Sequence, residues 1–451
     1  MRYLLLILGF LLIIGCTQTE TTENETIEQV QENETIVPGD TVIYHPTSLP
    51  TELVQPEDLT YLGAFRLPGP SGGSNWEYSG YAATYYPDGD PSGTDDYPGS
   101  LFAIGHDHHQ QISEISIPAP IISDNIEDLN TATTLQPFTD VTGGMYGYLE
   151  IPRAGLEYLP AQGSQTTGKL YFAWGQHFEF EAVPTHGWCE TDLSNPQIAG
   201  PWYLDGYSNY ATNDYLFEIP ADWAGVNTPG QRLATGRFRD GLWSGRGPAL
   251  FAYGPWNDGN PPLPNSTIES LTTLLLYGTQ LPGVAELETD TSMAMNGFSE
   301  ADEWSGGAWL TSDNKSAVIF VGTKGLGNTW YGYSNGVTYP TSGDPNEVYP
   351  DVPDWPHNER GWWSEDIEAQ IIFFDPADLA AVANGEKERY EPQPYAILNI
   401  DDYFFDPGFD YEKGKRYLVG AAAFDRANSF LYVFERLADE DKSVIHVWKV
   451  E

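Results

Sequence analysis

Positive charge is what this chain has least of. Its 451 residues carry 20 Lys and Arg against 65 Asp and Glu, a formal net charge of −45. A nucleic-acid binder needs a basic face, so that class of partner is excluded. Electrostatic docking on anionic lipid is disfavoured for the same reason. Cysteine is nearly absent: Cys16 and Cys189 are the only two. Long apolar runs are missing as well. The one run present, Leu4 to Ile14, is too short to span a bilayer. Aromatic and turn residues are abundant by contrast, with 14% Phe, Trp and Tyr, 46 Gly and 34 Pro. Hydrophobic residues make up 40% of the chain, enough for a large packed core, which rules out wholesale disorder.

The short run has the form of a secretion signal. Met1-Arg2-Tyr3 is a basic leader and Leu4 to Ile14 the apolar segment. It ends in Ile13-Ile14-Gly15-Cys16, where Gly15 suits a peptidase and Cys16 offers a thiol to a lipid. Residues 1–15 are therefore expected to be a lipoprotein signal peptide, with Cys16 as lipid anchor. A plain secretory signal is the alternative. Residues 16–55 follow as an acidic tether, with no Lys, Arg or aromatic residue between 17 and 40. The expected location is the cell envelope, outside the cytoplasm, with the membrane touched through the lipid alone. Once Cys16 is anchored, Cys189 has no partner for an internal disulfide.

The remainder, residues 56–451, is repetitive. A short apolar strand ending in Gly or a charge recurs at Ser100–Gly105, Lys169–Gly175, Thr273–Gly278, Ser316–Gly322 and Ser429–Glu435. A second strand follows each, at Ile112–Ile117, Tyr215–Ile219, Val284–Leu287, Ala369–Phe374 and Ser443–Trp448. A strand of small residues precedes each pair, at Gly80–Thr84, Gly155–Tyr158, Gly247–Phe251, Gly306–Leu310 and Gly420–Phe424. Small residues suit an innermost strand crowded around an axis. A fourth strand ends in Phe at Thr134–Phe138, Thr235–Phe238 and Met295–Phe298, and Tyr61–Phe65 has the same ending ahead of the first full repeat. The last repeat supplies three strands, and Thr60–Leu67 can supply its fourth. The expectation is an all-β, five-bladed β-propeller, give or take one blade, closed by the N-terminal strand. A β-sandwich with irregular loops is the alternative. The one helix expected is near Pro376–Asn384.

In such a blade the connections from second to third strand and from fourth strand to the next blade share a face. The unusual residues fall there. Trp76, Trp243 and Trp304 precede inner strands, and His106, Asp107, His108 and His109 form one turn. His177 opens a long segment, 176–214, and a second long segment runs over 323–368 with Trp330, Trp362 and other aromatics. Imidazoles from two neighbouring turns would bind a divalent metal or share acid/base work, which makes His106, His108 and His177 the candidate metal and catalytic groups, with Tyr81 or Tyr146 beside them. No fixed zinc spacing is present, and turn histidines bonding to backbone are the competing account. Trp76, Trp243, Trp304, Trp330 and Trp362 are candidate ligand platforms, because indoles stack on the C–H faces of sugars. Arg237 and Arg246 flank Trp243, and a forked guanidinium there would hold a carboxylate. Arg246 is the candidate for that role.

Leu62-Gly-Ala-Phe-Arg-Leu67, Glu114-Ile-Ser-Ile-Pro118, Asp302-Glu-Trp-Ser-Gly-Gly307 and Ile445-His-Val-Trp-Lys-Val450 resemble stretches of uncharacterised secreted or lipid-anchored proteins with propeller-like repeats. The resemblance spans most of 56–451. It implies a fold and an extracellular setting and brings no activity or catalytic residues with it. Two functions compete. One is a surface-anchored module binding a glycan or a protein on an aromatic- and His-lined face. The other is an extracellular carbohydrate-active enzyme, a polysaccharide lyase or glycoside hydrolase, with a His-centred and metal-dependent site. By position alone, Glu77, Glu157 and Asp302 are the axial carboxylates such a hydrolase would use.

Overall fold

A computed structural model describes residues 49–90, 96–177, 182–205, 207, 211–238, 246–278, 291–341, 346–412 and 416–451. Five sheets stand in a ring, and the fold is a five-bladed β-propeller. Blade one is Ala83–Tyr86, Ser100–Ile104, Gln111–Ser116 and Thr134–Asp140, from the axis outward. Blade two is Pro152–Leu159, Lys169–Gln176, His186–Cys189 and Ala199–Leu204, with Thr267–Ile268 added in parallel at its outer edge. Blade three is Tyr215–Glu218, Leu233–Arg237, Ala249–Tyr253 and Leu271–Leu275. Blade four is Glu303–Ser312, Lys315–Tyr333, Arg360–Phe374 and Ala396–Asn399. Blade five is Val419–Asp425, Phe430–Asp439 and Lys442–Val450, completed by Leu59–Arg66. That last strand runs antiparallel to Lys442–Val450, from Leu59 opposite Val450 to Arg66 opposite Val444.

The second strands carry apolar residues on both faces through their middles because each blade is covered on both faces. Five hydrophobic clusters fill the five gaps between blades. Phe102 and Ile112 meet Leu156 and Phe172 between blades one and two. Tyr171 and Trp202 meet Leu233 and Tyr253 between two and three. Leu250 meets Phe320 and Ile372 between three and four. Ile371 and Phe373 meet Leu431 and Val433 between four and five. Tyr432 and Ile445 meet Leu101 and Ile115, which closes the ring. Each buried side chain of this size contributes about 1.5–3 kcal/mol. At the axis the inner strands approach too closely for side chains. A Cβ on Gly306 would lie 2.6 Å from Ala422 N, and one on Gly420 would lie 1.9 Å from Gly80 O.

Several expectations are corrected. Blade three is out of phase by two strands. Tyr215–Glu218 is its inner strand, Leu233–Arg237 its second, Ala249–Tyr253 its third and Leu271–Leu275 its fourth. The segment 284–287, expected as a strand, lies outside the described residues. Met295–Phe298 is not a strand. The 176–214 segment is not one loop, since it contains the outer half of blade two. The 323–368 segment is largely a hairpin that prolongs blade four, with Tyr331 opposite Trp362 and Tyr333 opposite Arg360. Pairing with the propeller begins ahead of residue 56, for Glu52–Leu53 pairs in parallel with Lys315–Ser316 and Val54 is buried. The helix Pro376–Ala383 forms where expected, and the Asp375 side chain caps it by accepting from Ala377 N at 2.7 Å. No helix among the described residues is long and apolar enough to cross a membrane.

Candidate functional site

All five inner strands start on the same face, here called the near face. It carries every second-to-third connection and every link to the next blade. A shift of two strands preserves the face, so Arg246 stays on it in the corrected assignment. A narrow axial cavity is lined by inner-strand residues such as Tyr81, Gly155, Leu216, Ser305 and Ala421. The aromatics of the long segments do not form this cavity.

Each blade places one polar or aromatic side chain where its inner strand begins. These are Tyr81, Arg153, Asp214, Glu303 and Tyr417, in blade order. Arg153 Nη2 donates to Glu303 Oε2 at 3.1 Å, which ties blade two to blade four across the mouth. The Arg153 guanidinium also lies 5.2 Å from the Tyr81 ring and 5.5 Å from the Phe238 ring. Arg237, at the end of the second strand of blade three, has Nε 3.3 Å from Asp214 Oδ1. Its Nη1 donates to Asn213 Oδ1 at 3.2 Å and its Nη2 to His177 Nδ1 at 2.7 Å. A guanidinium only donates, so His177 is neutral at Nδ1 and carries its proton on Nε2. The His177 ring stacks on Phe238 at 5.6 Å. From blade five, Arg436 sits 4.0 Å over Tyr81, and Arg416 lies 5.3 Å from Trp363 and 5.0 Å from Tyr417.

Burial raises the pKa of Asp214, and Arg237 and Arg153 oppose the rise. Burial works against the charge of Arg153, yet Glu303, Tyr81 and Asp214 outweigh it and leave the guanidinium more firmly protonated than usual. The mouth is thus a buried, charged ring with more guanidiniums than carboxylates.

The predicted residues divide among three places. Tyr81 and His177 belong to the mouth. His106 and His108 belong to a 3₁₀ turn on the rim, Asp107–His109. There His106 Nδ1 is 3.0 Å from Asp107 Oδ1, and its ring stacks on His109 at 4.3 Å. His108 Nδ1 is 3.1 Å from the Leu149 carbonyl, and Ser74 Oγ is 2.8 Å from His109 Nδ1. Burial, with His109 and His108 nearby, lowers the pKa of His106 in spite of Asp107. Among the described residues no group of three or more His, Cys, Asp or Glu is gathered to hold a metal ion. The expected site of His106, His108 and His177 therefore does not assemble, because each imidazole is engaged by its own surroundings. Tyr146 is half-buried, and its hydroxyl donates to the Thr185 carbonyl at 2.8 Å.

The tryptophans are corrected in part. Trp76 is interior, packed at 4.5 Å against Phe138. Trp304 is interior, in the core between blades three and four. Trp76 stands ahead of an inner strand and Trp304 at the start of one, and at either place an indole closes the blade end and offers no face to a ligand. Trp330 and Trp362 lie half-buried on the blade-four hairpin, where Trp330 Nε1 donates to the Tyr333 carbonyl at 2.9 Å and Trp362 meets Tyr331 at 5.5 Å. Arg246 is buried, 3.2 Å from Glu300. Trp243 and Cys16 lie outside the described residues. Glu77 is exposed, and Asp302 is a buried structural acid that takes Lys324 at 2.7 Å.

Asp214, Glu303, Arg416, Tyr417 and Arg436 were missed. Four of them stand at or just before an inner strand, so aligning the repeats on that position is the signal that finds them. Arg436, on a second strand, carries no such mark.

The described part of the hairpin tip, residues 334–341 and 346–359, is the other distinctive part of the near face. Val348 is 87% exposed and Trp355 66%, with Val337, Tyr349 and Val352 exposed beside them in sequence. Arg360 lies 4.3 Å from the Tyr339 ring at the base of this tip. Tyr78, Tyr148 and Ile151 are exposed on other near-face connections. No protein-family model matches the chain, and no curated protein matches it.

Proposed function

We propose that this protein is a binding propeller held on the outer side of the cell envelope by a lipid on Cys16, and that it captures a glycan on its near face. The observation that carries the reading is the clustering of exposed apolar and aromatic side chains on that face. Val348, Tyr349, Val352 and Trp355 project from one hairpin, while large apolar side chains exposed elsewhere, such as Leu263 and Val226, are scattered. Exposed rings beside acids and amides suit the alternating C–H and hydroxyl surface of a sugar. Binding is favoured over turnover because the imidazoles of the His turn are bonded locally, and Asp214 and Glu303 are each engaged by an arginine.

The test is retention of the full chain on a panel of immobilised glycans, compared with a Trp355→Ala variant. Loss of one stacked indole should weaken binding about tenfold. Retention by no glycan, or unchanged retention of the variant, would reject the reading. Capture of a surface protein in place of glycans would move the same face to a protein partner. Fractionation of Cys16→Ser cells tests the anchor: the variant should leave the membrane fraction.

A further inference from the structure

Arg436 is out of keeping with the chain around it. It is 7% exposed, and among the described residues no carboxylate pairs with it. Its Nε is buried without a hydrogen-bond partner. An unpaired guanidinium is expensive to bury. Scarcity of acids is not the cause, since the chain has 65 of them.

Two more guanidiniums near it also bury an N–H without a partner, as Arg232 does at the opposite face. Arg153 lies against the same Tyr81 ring and is also 7% exposed. Glu303 takes one of its Nη atoms, while its Nε is buried without a partner. Arg416 has Nη1 buried without a partner, and the carboxylate beside it, Glu359 at 3.5 Å, is an exposed one. Tyr81 and Tyr417 support these cations from their ring faces and leave one buried N–H of each unpartnered. Arg153 and Arg436 share the Tyr81 ring, which lines the axial cavity, and Arg416 lies over Tyr417 just ahead of blade five's inner strand, where the charges of Arg153 and Glu303 reach it.

We propose that the mouth of the axis binds one carboxylate group, held by Arg153, Arg416 and Arg436, and that the carboxylate belongs to an acidic saccharide. Forked guanidiniums match the two oxygens of a planar carboxylate. Glu303 and Asp214 sit beside them and oppose a second negative charge, which favours a monoanion over a phosphate dianion. The axial cavity below has room for about one water, so the carboxylate stays at its mouth and the rest of the ligand lies outside, towards the hairpin. The carrier rests on the glycan reading above; the carboxylate site does not.

The full chain is titrated with D-galacturonate and with D-galactose, and is melted in sodium acetate and in sodium chloride at equal ionic strength. Galacturonate should bind about tenfold or more tighter than galactose. Acetate should raise the melting temperature above that in chloride, and Arg436→Gln should remove both effects. Arg416→Gln is the second variant, used where Arg436→Gln does not fold. Equal binding of the two sugars with no acetate effect overturns the proposal. So does an acetate effect that survives in both variants. Sulfate stabilising more than acetate through the same arginines overturns the choice of carboxylate. An arginine-dependent acetate effect without saccharide binding upholds the site and rejects the glycan. A glycan that binds with no arginine-dependent anion effect does the reverse.

Discussion

The two ends of the propeller axis are built from the same five inner strands and treat charge in opposite ways. At the far end, Arg426 is fully engaged. Its Nε donates to Glu218 Oε2 at 3.0 Å, its Nη1 to the Trp309 carbonyl at 3.1 Å and Thr311 Oγ1 at 2.9 Å, and its Nη2 to the Glu218 carbonyl. Arg232 takes the other oxygen of Glu218 through Nη2, with its own Nε buried and unpartnered. Glu157 beside them accepts from Thr84 Oγ1 at 2.9 Å and from Glu218 N at 3.1 Å. At the near end, Arg436 has an aromatic ring and no acid. Satisfied donors hold blades together, and unsatisfied ones held in place by rings are poised for a ligand. The contrast separates a structural arginine from a binding one within a single blade.

Opening the ring tests both ends at once and has the largest expected effect. Deleting residues 56–67 strips Leu59–Arg66 from blade five and should abolish cooperative melting, as followed by circular dichroism. An unchanged melting curve would mean that closure holds neither end.

The far end should be the pH-sensitive one. Burial, then the nearby charge of Glu218, pushes the Glu157 carboxyl from 4.5 up to about 8. Between those values the folded state binds more protons than the unfolded chain, so stability falls as pH rises through that window. The loss amounts to about 5 kcal/mol at most. Glu157→Gln should flatten the profile and be more stable than wild type at pH 9, as read by urea denaturation. A variant that keeps the wild-type slope would place the titration elsewhere.

The smallest effect sharpens the comparison at the near end itself. Arg153→Met leaves Glu303 buried and unpaired and should cost about 3 kcal/mol. Arg436→Gln strands no acid, so without an anion present it should change stability by about 1 kcal/mol or less. Equal losses would show that Arg436 is as structural as Arg153.

The fold was legible because each blade repeats an apolar second strand that ends at a turn. It was misread in blade three, whose inner strand is Tyr215-Leu216-Phe217-Glu218, bulky where the other four have small residues. The neighbours explain the exception. A Cβ on Gly155 would lie 2.9 Å from the Leu216 side chain, and one on Gly307 would lie 2.6 Å from the Phe217 ring. The small residues this strand needs stand on the adjacent blades, where no pattern within one repeat reveals them. The site was legible only in outline. Tyr81, His177 and the value of scarce arginines could be read from the sequence. The convergence of Arg153, Arg416 and Arg436 could not, because it depends on closing blade five against blades one and two. Trp76 and Trp304 misled for a physical reason: an indole ahead of an inner strand or at its start is equally suited to sealing a core.

The pairing of Leu59 with Val450 also governs when this protein can exist. Blade five joins a strand from the start of the ring to the last one, so the ring remains unsealed until nearly the whole chain has left the ribosome. Through that interval Leu59–Arg66, with Ala64 and Phe65 destined for the interior, has no partner. Such long-range closure is slow and leaves strand edges open to wrong pairings. The step that seals the ring is therefore the last one in folding, and a permuted chain with this strand placed after Val450 would make it a local event.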